Sequence, residues 1–241
     1  VISLKDVSVG YTSQTNAIAV VDSLTLEPGQ ISAILGSSGC GKSTLLNALA
    51  GVHSGTKSGN LMFESTEYSL DSWVNKTLQA KPLFSLVPQR PMLLPWKTAL
   101  ENVLIAAQSM GSQRSDSLNQ AKHFLDIVNL KDDYDRLPEE LSQGMAARVS
   151  LARSLMLGGQ CLLLDEPFAS LDALTRLQLQ DWLRDWIKER NLYSILVTHD
   201  IEEAKRLSSH MYVFSGKPAK LSSRLLETST DVVLQQLLVE A

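Results

Sequence analysis

The sequence predicts an α/β fold with a mainly parallel core sheet and an all-helical insertion, and three observations predict it. Short runs rich in Val, Ile and Leu recur and alternate with helical patterns, as in a sheet covered on both faces. Between Trp96 and Leu157 the strand signals stop and only helical periodicity remains. The stretch "GSSGCGKST", Gly36 to Thr44, fits the spacing G-x-x-x-x-G-K-[ST] and lies between an apolar strand and a helix start.

In order, the strand-like runs are "VISLKDVSV" at the start, "ISAILG" at 31–36, "LFSLVPQ" at 83–89, "CLLLD" at 161–165, "SILVTH" at 194–199 and "MYVFS" at 211–215. The inserted helices are "TALENVLIAAQSM", then "LNQAKHFLDIVNL" after a polar loop, then "MAARVSLARSLML", stopped by Gly158 and Gly159. In "LTRLQLQDWLRDWIKER" the apolar positions 174, 177, 182, 183, 186 and 187 mark an amphipathic helix, and Trp182 and Trp186 read as core. The tail after Pro218 carries one short amphipathic stretch, Asp231 to Val239.

Composition narrows the function. The chain has 241 residues, 44% of them hydrophobic, enough for a sizeable core. Its formal net charge is -4 and its Lys and Arg are scattered, which argues against a nucleic-acid partner. Cys40 and Cys161 lie far apart and form neither a disulfide framework nor a metal-ligand spacing, as expected in a reducing compartment. The apolar runs fall short of the roughly 18 residues a membrane span needs, so the chain is expected not to cross a membrane by itself.

The chemistry starts at the phosphate loop. Its glycines let backbone amides turn inward at a helix N-terminus to cradle phosphate oxygens. Lys42 adds a point charge for the β and γ phosphates, and the Ser43 hydroxyl suits Mg²⁺. An acidic pair should complete such a site from the end of a buried strand, and "CLLLDEP" supplies Asp165 and Glu166. Asp165 suits Mg²⁺ held through water and Glu166 suits polarising the attacking water; a plain acidic turn before Pro167 is the alternative. His199 ends the strand "SILVTH" at the edge where ligands gather in open α/β sheets, although a lone histidine is more often structural. Gln89 ends another strand, where its amide could reach Mg²⁺ or water; a glutamine that simply starts a loop is the plain alternative. His53, His123 and His210 receive no role.

Taken in order, "GSSGCGKST", "LVPQ", "LSQGM", "CLLLDEP", "ASLD" and "VTHD" resemble the ordered motifs of an ATP-binding cassette (ABC) ATPase, the nucleotide-binding subunit of a transporter. The resemblance runs from about Val1 to about Lys220. It implies a single ABC ATPase domain: a catalytic core with an N-terminal antiparallel β-subdomain at 1–90 and 158–220, a helical signature subdomain at 91–157 and a short tail at 221–241.

It also implies roles. Tyr11 would stack on adenine, while Gly36, Ser37, Ser38, Gly39, Cys40, Gly41, Lys42, Ser43 and Thr44 would hold the nucleotide. Ser43, Gln89 and, through water, Asp165 would serve Mg²⁺. Gln89 would sense the γ-phosphate and face a membrane partner, with Trp96 either a contact or buried. Glu166 would be the general base and His199 would contact the γ-phosphate. Ser142, Gln143 and Gly144 would reach ATP bound by a second cassette, and Asp172 would face the dimer interface or simply cap its helix. Gln143 and the pair Ala146 and Ala147 depart from the family pattern, whereas Arg148 fits it.

The implied partners are a second, identical cassette, integral membrane permease subunits and, indirectly, a solute-binding protein, with no nucleic acid. The implied place is the cytoplasmic face of the cell membrane. "LLPWKTALENV", "EPFASLDALTR", Met145 and "FSGKPAKL" resemble importers of the nitrate, sulfonate and taurine type, a branch similar also to systems for thiamine precursors. The competing expectation is a soluble ABC scaffold that clamps on ATP during assembly of another complex.

Overall fold

The first strand alternates: in β1 (Ile2–Gly10), Ile2, Leu4, Val7 and Val9 are buried while Lys5 and Asp6 face out, the pattern of a strand with one wet face. It pairs antiparallel with β2 (Ala19–Leu26) and β4 (Thr56–Phe63), and β4 with β5 (Thr66–Ser69). In contrast β3 (Ile31–Gly36), β7 (Cys161–Asp165) and β8 (Tyr193–Thr198) are buried almost throughout, as strands covered on both faces must be. The structure is a computed structural model that describes residues 1–11, 17–71, 82–109 and 114–222.

Ten described strands form one sheet in the order β5, β4, β1, β2, β10, β9, β3, β8, β7, β6. Here β6 is Phe84–Val87, β9 is His210–Ser215 and β10 is Ala219–Leu221. The segment β9, β3, β8, β7, β6 is parallel; β10 pairs antiparallel with β9 and parallel with β2, joining the parallel core to the antiparallel wing. The expected α/β class with an N-terminal antiparallel β-subdomain is therefore present. The strand-by-strand reading had no counterpart for β2, β4, β5 or β10, because half-wet strands such as "TKSGNLMF" expose polar and glycine residues and carry little apolar periodicity.

Among the described residues between β6 and β7 lie three α-helices, α2 (Ala99–Ser109), α3 (Arg114–Ile127) and α4 (Gln143–Met156), and a short 3-10 turn at Pro138–Glu140. They bury Val103, Leu125, Val149 and Leu155 in a core shared with Leu164 and Phe168 of the sheet side. Gly158 adopts φ 63°, the left-handed stop expected after α4. Gly159 instead has its amide bonded to Ser85 Oγ at 2.9 Å, and a Cβ there would come within 2.6 Å of that oxygen, so it is kept small by close packing.

Following β7, α5 (Ala173–Glu189) buries Leu179, Gln180, Leu183 and Ile187. Trp182 and Trp186 stack at 5.8 Å and pack on this core, as expected, but Leu174 and Leu177 are exposed, so the helix's first turn is not part of its apolar face. The stretch Asp231 to Val239 lies outside the described residues. Among the described residues no helix is long and apolar enough to cross a membrane.

One polar side chain organises the loop ahead of α2. Asn102, with no exposed surface, donates to the carbonyls of Leu94, Lys97 and Thr98 and accepts from the Leu94 amide at 2.8 Å. Removing it strands half-buried backbone groups. Asn102→Ala is expected to lower stability by about 2–4 kcal/mol in urea titration, with an unchanged m-value.

Candidate nucleotide site

Most described helix starts are closed by a side chain. Ser142 Oγ accepts from the Met145 amide at 3.2 Å, Asp172 from the Thr175 amide at 3.0 Å, and Asp200 from the amides of Glu202 and Glu203, while Thr98 and Glu101 form a reciprocal box at α2. Helix α1 (Lys42–Leu49) differs: its cap is Gly41 at φ 103°, with no side-chain acceptor. Its first amides and the positive end of its dipole are left for an outside anion.

The loop before α1 is shaped by close approach. A Cβ on Gly36 would meet Cys40 Sγ at 2.8 Å and the Phe214 carbonyl at 3.0 Å, and one on Gly41 would meet Ile18 at 2.9 Å. Lys42 is nearly buried and curls back to donate to the carbonyls of Gly36 and Ser37, both at 2.8 Å. The carbonyls hold the ammonium over the loop.

The strand ends supply the other groups. Ser43 Oγ donates to Asp165 Oδ1 at 3.1 Å, linking α1 to the end of β7. Burial raises the Asp165 carboxyl above its usual range and Glu166 adds to this, while the Ser43 bond and Lys42 oppose it. Glu166 follows at φ 48°, a left-handed conformation that costs a non-glycine residue and turns it off the strand; its amide donates to the Val197 carbonyl at 2.9 Å. Its carboxylate meets Gln89 Nε2 at 3.3 Å and His199 Nδ1 at 3.1 Å. Three strand ends, β6, β7 and β8, thus converge on one carboxylate.

Tyr11, Ile18, Ser38, Gly39, Gly41, Lys42, Ser43, Thr44, Gln89 and Glu166 line one cleft of about 530 Å³. Ser37 and Cys40 line an adjoining hollow beside Gly216 and Lys217, and Gly36 lies behind the loop as a bond acceptor. Asp165 reaches the cleft through Ser43, and His199 through Glu166. Tyr11 is half exposed, with its hydroxyl 3.5 Å from Thr44 Oγ1.

Ser142, Gln143 and Gly144 do not line this cleft. They form the exposed start of α4, where Gln143 points to solvent and a Cβ on Gly144 would meet the Ser170 carbonyl at 3.0 Å, next to the turn carrying Asp172. Asp172 caps α5, and the Thr175 bond lowers its carboxyl from the usual range. Both the signature residues and Asp172 are thus left facing outward.

Three supports were not legible in the sequence. His53 binds the Gly10 carbonyl at 2.8 Å and lies 5.7 Å from the Tyr11 ring, steadying it. Ile18 closes one wall of the cleft. Glu203, buried and raised in pKa chiefly by desolvation, accepts from Gln180 at 3.0 Å and from Thr198, behind the turn that presents His199. No motif marks these residues; their contacts join segments distant in sequence.

A phosphate-holding loop, a hydroxyl paired with a carboxylate and a carboxylate poised by Gln89 and His199 define a phosphate-loop nucleotide hydrolase. The ABC transporter family model matches residues 21–169. The chain is 37% identical over 87% of its length to the nitrate import ATP-binding protein NrtC of Synechococcus elongatus, of which it spans 31%. It is 42% identical over 78% of its length to the aliphatic sulfonates import ATP-binding protein SsuB of Corynebacterium glutamicum, spanning 70% of that protein. Among solved structures, a dimeric post-hydrolysis state of an ATP-binding cassette bound to ADP and Pi aligns at TM-score 0.82 and 25% identity, covering 95% of this chain and 100% of that one.

The chain belongs to the ABC transporter family. It is an ATP hydrolase of that class.

The buried Asp165 carboxylate has a stability consequence. Because its folded pKa is raised, its contribution is favourable at low pH and is lost as pH rises through that folded value. At neutral pH the ionised group is a net cost. Asp165→Asn should therefore stabilise the nucleotide-free chain at pH 7.5, with the gain shrinking toward pH 4, as read by thermal melts across pH.

Proposed function

We propose that this chain is the ATPase subunit that powers an ABC importer for a small organic or inorganic ion, of the nitrate, sulfonate, taurine or thiamine-precursor kind. The observation that carries this reading is the Glu166 carboxylate held between Gln89 and His199 at the mouth of the phosphate-loop cleft. Similarity to nitrate, bicarbonate and aliphatic sulfonate import ATP-binding proteins supports the importer branch.

In this mechanism the amides and side chains of residues 36–44 bind the ATP phosphates and Lys42 exchanges loop carbonyls for phosphate oxygens. Tyr11 provides the ring for adenine. Glu166 takes a proton from the attacking water, and Gln89 and His199 orient that carboxylate and the γ-phosphate. The oxygen donors Ser43, Asp165 and Gln89 suit a hard cation, and a buried carboxylate in contact with a hydroxyl fits Mg²⁺. Mg²⁺ bound there would neutralise phosphate charge.

Ser142, Gln143, Gly144 and Asp172 face outward and so contribute to a second, identical cassette bound across the nucleotide; dimeric cassette structures of similar fold support that arrangement. Gln143 is the departure from the family signature, and its exposure leaves Ser142 and Gly144 free to approach the partner's nucleotide. Met92 and Trp96, 74% and 71% exposed, form the surface for the permease, so Trp96 acts as a contact. The permease places the chain at the cytoplasmic face of the membrane and links it to a solute-binding protein. We assign the catalytic core to 1–90 and 158–220, the helical subdomain to 91–157 and the tail to 221–241. The soluble-scaffold alternative gains nothing from the site and predicts no permease contact at Trp96.

Glu166→Gln should retain ATP binding, drop turnover by roughly 10²-fold or more and accumulate an ATP-bound dimer in size exclusion. Undiminished turnover would reject Glu166 as the base. Alkylation of Cys40 should block ATP binding and slow markedly in the presence of MgATP; equal labelling rates would remove Cys40 from the nucleotide site. Trp96→Glu should leave ATPase activity of the isolated chain intact yet abolish co-purification with a polytopic membrane protein, and unaltered co-purification would place the permease elsewhere.

A further inference from the structure

Helix α4 begins at the signature residues and ends against the permease-facing segment, about 21 Å away at 1.5 Å per residue. Its last turns hold that segment by side chain. Arg153 Nη2 donates to the Pro91 carbonyl at 2.7 Å and Nη1 to the Met92 carbonyl at 3.0 Å. Ser154 Oγ donates to the Leu86 carbonyl at 2.7 Å, on the strand leading to Gln89. Met92 itself adopts φ 46°, a strained conformation for a methionine, with its side chain exposed.

Arg153 is an expensive way to hold a turn. Burial lowers its pKa, and among the described residues no carboxylate pairs with it. Its charge is balanced by two carbonyls and by the negative end of α4's dipole. A planar guanidinium can bind two successive carbonyls at fixed separation, which an ammonium cannot do with the same geometry. The residues on the other side of the segment hold it differently: Asn102 pins 94–98 to α2, leaving 91 and 92 attached to α4 through Arg153.

We infer that Arg153 is a positioning residue that ties Pro91 and Met92 to α4, so that they move with the helix as one body. Engagement of Ser142 and Gly144 by a nucleotide across the dimer then displaces Pro91 and Met92, and with them the surface offered to the permease. This rests on the cassette reading above. Arg153 is not among the residues that line the cleft, so its role is in position and not in the reaction.

The test is hydrogen exchange by mass spectrometry on Glu166→Gln and on Glu166→Gln with Arg153→Met, each with and without MgATP. In the parent, MgATP should slow exchange at 141–145 and alter it at 90–94 by about tenfold. With Arg153→Met the response at 36–44 and 141–145 should persist while that at 90–94 falls below about twofold. A purely structural role would instead raise exchange at 90–94 equally in both nucleotide states and keep the response, which overturns the inference. A full response at 90–94 in the double variant does the same. If the parent shows no change at 141–145, the dimer reading fails first and the coupling with it. Should Arg153→Met not fold, Arg153→Lys keeps the charge without the two-carbonyl grip and is expected to lose the same response; retention there would overturn the assignment.

Discussion

A buried ammonium held by loop carbonyls is the interaction on which this structure turns. Lys42 lies almost out of solvent and is satisfied by the carbonyls of Gly36 and Ser37. That arrangement demands a loop curled tightly enough to present its carbonyls inward to the lysine. It therefore demands glycine at 36 and 41, where any Cβ would collide. It also demands a rigid frame, since a buried charge is stable only where its partners cannot drift. The frame is β3, flanked on both sides by parallel strands β8 and β9.

The same central position of β3 explains why Glu166, Gln89 and His199 meet beside the phosphate loop. Parallel strands place their carboxyl ends on one edge, so residues ending β6, β7 and β8 arrive beside the loop that ends β3. Glu166 takes a costly left-handed backbone to leave the strand, and Gln89 and His199 meet its two oxygens from neighbouring strands. The antiparallel wing contributes differently: Tyr11 follows β1, and His53 returns to the Gly10 carbonyl to fix the aromatic rim. The cleft is thus half parallel core and half antiparallel wing, bridged by β10.

The helical insertion uses its polar residues for attachment. Arg148 donates to the carbonyls of Val128 and Asn129, closing the end of α3 on α4, and Arg153 and Ser154 bind α4 to the chain around Gln89. Hydrogen bonds to carbonyls fix direction more sharply than apolar contact does, because their strength falls steeply with misalignment. A helix held in this way transmits a push along its axis. Its exposed start and its bolted end consequently belong to one mechanical unit.

How much of this was legible in the sequence follows from what each signal depends on. The phosphate loop, the acidic pair Asp165 and Glu166, and the strand-ending Gln89 and His199 are local patterns, with chemistry and backbone need falling within a few residues. The buried strands β3, β7 and β8 were visible as continuous apolar runs. Strands β2, β4, β5 and β10 were not, because an edge or half-wet strand owes its existence to partners far along the chain. Trp96 read equally as core or contact until the bonds from Asn102 showed the loop fixed and the indole outside. His53, Glu203 and Arg153 carry no motif of their own. By itself the sequence determined the candidate groups and their order, since covalent spacing sets those. Only the tertiary structure decided which of them share a cleft, which face outward, and what holds each in place, since those are distances between residues that the chain itself does not fix.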